Sequence, residues 1–61
     1  MSAEKILMVE DDVALANAVL VTLRARGYEV KVATAASAAI RLASQWHPQA
    51  ALLDLGLPDM S

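Results

Sequence analysis

Two short apolar runs, Ile6-Leu7-Met8-Val9 and Ala50-Ala51-Leu52-Leu53, each stop at a carboxylate. The first leads into Glu10-Asp11-Asp12 and the second into Asp54. A run that is apolar without alternation reads as a strand buried on both faces, the kind found in parallel sheets covered by helices. Parallel neighbours need long crossovers, so the segment between the two runs must supply them. It has the residues to do so. Asp12 stands where an N-cap belongs, and Val13 to Arg26 has helical period, with Val13, Ala16, Val19, Leu20 and Leu23 on one stripe. Gly27 follows as a stop, with Arg24 and Arg26 where cations suit the helix dipole.

Tyr28-Glu29-Val30-Lys31-Val32-Ala33 alternates apolar with charged, which predicts a half-exposed strand at a sheet edge. Thr34 is the expected N-cap of a second helix whose inner stripe is Ala36, Ala39, Ile40 and Ala43, and Pro48 ends it. The expected elements are strands over 5–10, 28–33 and 49–54 and helices over 13–26 and 35–46. This β-α-β-α-β order implies an α/β fold with right-handed crossovers. An edge-type second strand beside two fully apolar ones favours the spatial order 2-1-3, with a helix on each face. Strand order then reverses between strands one and three, and their carboxyl ends open the crevice where such sheets bind ligands.

Composition narrows the function classes. No cysteine is present among the 61 residues, so disulfides are excluded. The net charge of −2, with no basic cluster, argues against a nucleic-acid partner. The start resembles no signal peptide, and no apolar run approaches the length of a membrane span. A soluble cytoplasmic chain is expected, with one small domain whose core is rich in alanine.

In a 2-1-3 sheet the acids after strand one and Asp54 after strand three stand on neighbouring strands about 5 Å apart. Carboxylates that close must take up protons or share a cation. Two or three carboxylate oxygens with a backbone carbonyl and waters suit Mg²⁺. A Mg²⁺ beside one carboxylate also suits phosphoryl transfer, the carboxylate as nucleophile and the metal neutralising charge. Each acid has a plainer reading. Asp12 reads as an N-cap before a ligand. Glu10 and Asp11 could be anions favoured near a helix N-terminus, and Asp54 a turn residue. Their joint placement at the switch point weakens these readings.

Ile6-Leu7-Met8-Val9-Glu10-Asp11-Asp12 and Leu52-Leu53-Asp54-Leu55-Gly56-Leu57-Pro58-Asp59-Met60 resemble the two acidic motifs of bacterial response-regulator receiver domains, particularly members with a winged-helix DNA-binding output. The likeness extends over the whole chain, and with both motifs at matching spacing it is specific. It implies a flavodoxin-like sheet, with Asp54 as phosphoacceptor from a histidine kinase. It also implies Mg²⁺ held directly by Asp11 and Asp54, through water by Glu10, and by the backbone carbonyl of Gly56. Pro58 would shape the loop.

A receiver domain of that family is about twice this length. The resemblance therefore implies a truncated, flavodoxin-like domain with strand three, normally central, at an edge. The family's phosphate-sensing Ser/Thr, its phosphate-binding Lys and its aromatic switch residue match no position here, so impaired phosphotransfer is expected. Lys5 and Lys31 are poorly placed to substitute for that Lys. An apolar unpaired edge, with Leu15 and Val21 outside the core stripe of helix one, predicts a homodimer that pairs strand three with strand three. The competing reading is an interaction module that pairs with itself or another receiver without phosphotransfer. A metal-dependent hydrolase is disfavoured, as no activated-water base is evident, and enzyme activity is not expected. The single His47 reads as an ordinary cation after a helix, and Trp46 as a core or interface anchor.

Overall fold

The computed structural model describes residues 3–53. Five elements follow in the order β1 (Lys5–Val9), α1 (Val13–Ala25), β2 (Glu29–Ala33), α2 (Ala36–Trp46) and β3 (Ala50–Leu53). They form one parallel sheet ordered β2-β1-β3. The fold is the α/β, 2-1-3 arrangement expected from the pattern, that of the front of a flavodoxin-like sheet.

Period two on β1 divides the core between the two faces of the sheet. Ile6 and Met8 join Ala16 of α1 and Val30 of β2, with Val19, Leu20, Leu23, Tyr28 and Val32 packed around them. Leu7 and Val9 join Ala33 and Ala39 of α2, with Ala36, Ala38, Leu42, Ala43 and Trp46 around them. Val9 is the most deeply buried of these, at 1% exposure. Alanines on α2 let that helix lie close to the sheet, at the expense of apolar area per residue.

Helix α1 begins and ends as its residues dictate. Asp12 sits in extended backbone and its Oδ1 accepts from the Leu15 amide at 3.1 Å. At the other end Gly27 has φ of +92°, the Gly27 amide donates to Arg24 O at 3.0 Å and the Tyr28 amide to Leu23 O at 3.2 Å. That pair of bonds is a Schellman closure. A Cβ on Gly27 would meet nothing within 4 Å, so the backbone angle rather than space calls for glycine.

Several expectations need correcting. Thr34 does not cap α2: the N-cap is Ala35, with no side-chain hydrogen bond, and the helix starts at Ala36. The inner stripe of α2 keeps Ala36, Ala39 and Ala43 as expected but loses Ile40. Ile40 is 71% exposed, and Leu42 and Trp46 take up the packing instead. Val13 also leaves the stripe of α1, at 63% exposure. Within the described residues each strand is one residue shorter than expected, while α2 ends at Trp46 as expected, with His47 as its C-cap in left-handed backbone. The part of the third strand expected at Asp54 lies outside the described residues.

Strand β3 hydrogen-bonds to β1 alone, and all four of its residues are exposed. Neither helix packs closely over it. No helix among the described residues is long and apolar enough to cross a membrane.

Candidate functional site

The carboxyl end of β1 is fixed by the sheet itself. The Glu10 amide donates to Ala33 O at 3.0 Å, which carries the β1–β2 ladder one residue past Val9. The chain then turns through Glu10, Asp11 and Asp12 into α1. Glu10 Oε1 accepts from the Asp12 amide at 3.1 Å, and Asp12 Oδ1 accepts from the Leu15 amide. Two of the three carboxylates thus serve the turn and the helix start. Asp11 is exposed, and among the described residues no hydrogen bond reaches its side chain.

Beside this turn β3 runs parallel to β1, with Val9 opposite Leu53 and Met8 opposite Leu52. The next residue after Val9 is Glu10, and the next after Leu53 is Asp54. Asp54 and Gly56 lie outside the described residues. Among the described residues no three His, Asp or Glu side chains form a group able to hold a metal.

An apolar groove of about 140 Å³ adjoins the acidic turn, lined by Met8, Val9, Glu10, Leu15, Val19, Leu52 and Leu53. It lies between α1 and the open side of β3. The expectation that Leu15 and Val21 lack cover holds: they are 50% and 66% exposed.

The family model of the response regulator receiver domain matches residues 6–61. The chain belongs to that family. Membership places it in two-component phosphorelay signalling. The receiver is 39% identical over 56 residues to the transcriptional regulatory protein KdpE of Mycobacterium tuberculosis, in both strain CDC 1551 / Oshkosh and strain ATCC 25618 / H37Rv. That match covers 92% of this chain and 25% of each relative. The probable transcriptional regulatory protein TcrX of strain H37Rv is also 39% identical over 56 residues, 92% of this chain and 24% of its own. The receiver thus spans about a quarter of the length of the curated relatives it matches.

At the opposite end of the sheet lies a contact that sequence reasoning missed. Lys5 and Lys31 hold their ammonium groups 5.7 and 5.1 Å from the centre of the Trp46 ring, and Lys5 Nζ donates to Trp46 O at 3.4 Å. Lys5 and Lys31 stand at alternate positions of adjacent strands, on the face that α2 covers. That register was the signal in the sequence. The contact fastens the end of α2 to the sheet, well away from the acidic turn.

Proposed function

We propose that this receiver accepts a phosphoryl group on Asp54 from a histidine kinase, with Mg²⁺ bound at the acidic turn. In that step the P–N bond of a phosphohistidine breaks and an O–P bond forms to the Asp54 carboxylate. Mg²⁺ would neutralise charge on the transferring group. Asp11 and Asp54 would bind it directly, Glu10 through water, and Gly56 through its backbone carbonyl. The residues fit a hard cation that keeps part of its water shell. Asp11 extends from the turn without a partner among the described residues, while Asp12 is occupied as a cap.

The observation that carries this reading is the register of β1 and β3. Val9 pairs with Leu53, so β1 and β3 end side by side, and the residues next in sequence are Glu10 and Asp54. Incubating the chain with acetyl phosphate and Mg²⁺, or with beryllofluoride and Mg²⁺, tests it by mass spectrometry and by chemical-shift change. An adduct is expected that Asp54→Ala abolishes. No adduct, or one that persists in Asp54→Ala, would overturn the assignment.

A second reading is favoured by the state of β3. Its open edge and its exposed Leu52 and Leu53, at 45% and 59%, suit an interaction module that pairs with itself or another receiver without phosphotransfer. A homodimer joined through two β3 edges is the form we favour. Light scattering after size exclusion distinguishes it from a folded monomer.

A further inference from the structure

We draw no further inference here: the strongest candidate, the apolar groove between α1 and the open side of β3 lined by Leu15, Val19, Leu52 and Leu53, belongs to the pairing surface already proposed, and nothing in the structure shows what else covers it.

Discussion

Asp12 and Asp11 are adjacent in the chain, yet the structure gives them different work. The Asp12 carboxylate satisfies the Leu15 amide, one of the orphan donors of the first turn of α1. Replacing Asp12 with Ala should cost about 1 kcal/mol. In a chain this small that corresponds to a fall in melting temperature of roughly 4–8 °C. Asn caps about as well as Asp, so Asp12→Asn should keep the stability. If Asp12 is a cap and Asp11 a ligand, Asp12→Asn should also largely keep Mg²⁺ affinity, whereas Asp11→Asn should lose most of it. Titration followed by chemical shift separates the two, and equal losses would refute this division of labour. His47 poses a different residue-scale question. Its φ of +53° puts a non-glycine side chain in left-handed backbone, where its backbone N–H donates to Ala43 O and closes α2. His47→Gly should therefore stabilise the fold by about 1 kcal/mol, read from urea denaturation. A loss of stability would mean that the imidazole makes a contribution the backbone angle does not reveal.

Among the elements, α2 shows how a helical stripe can be right at its small residues and wrong at its largest one. Ala36, Ala39, Ile40 and Ala43 share a stripe at helical spacing, and period alone favours placing the large Ile40 inward. The helix does turn Ala36, Ala39 and Ala43 to the sheet, but Leu42 packs there while Ile40 does not, with Trp46 held at its end beside Lys5 and Lys31. Ile40 is 71% exposed and belongs to neither core cluster. Ile40→Ala should thus change stability by less than about 0.5 kcal/mol. Val9→Ala, at the most buried point of β1, should cost about 2–3 kcal/mol. Comparable costs for the two would show that Ile40 is covered in solution. The same logic separates β2 from β3. Glu29 and Lys31 make β2 a charged edge of the kind that resists pairing, while β3 carries no charge at all.

On the scale of the whole molecule, burial is lopsided. Both core clusters centre on β1 and β2, and β3 extends beyond the cover of either helix. The apolar groove and the exposed Leu15, Leu52 and Leu53 all lie on that uncovered side. Sheet edges of this composition pair with other chains unless a charge prevents it. Self-association that rises with concentration is expected for the 61-residue chain, and Leu52→Lys should reduce it while leaving the circular-dichroism spectrum of the fold in place. An unchanged, monomeric elution for both proteins at high concentration would rule out pairing through β3. The acceptor reading does not depend on that result, because it rests on the pairing of β3 with β1 and not on the open edge of β3.

The order of elements, the parallel sheet and its 2-1-3 arrangement were legible in the sequence, because alternation, continuous apolar runs and caps are local properties of the chain. So were the Asp12 cap and the Gly27 stop, each of which rests on chemistry within a few residues. The acidic residues could be assembled into one candidate site because strand order makes the two apolar runs neighbours, and the register of Val9 with Leu53 is the structural form of that inference. Asp54 and Gly56 themselves remain a sequence assignment. Tertiary structure decided what depends on contact: that Ile40 of α2 and Val13 of α1 are left exposed, that Glu10 and Asp12 spend hydrogen bonds on the turn, and that two lysines hold Trp46. Periodicity tells a helix which residues share a face. Only the neighbours that fill the space against it decide which face is inside.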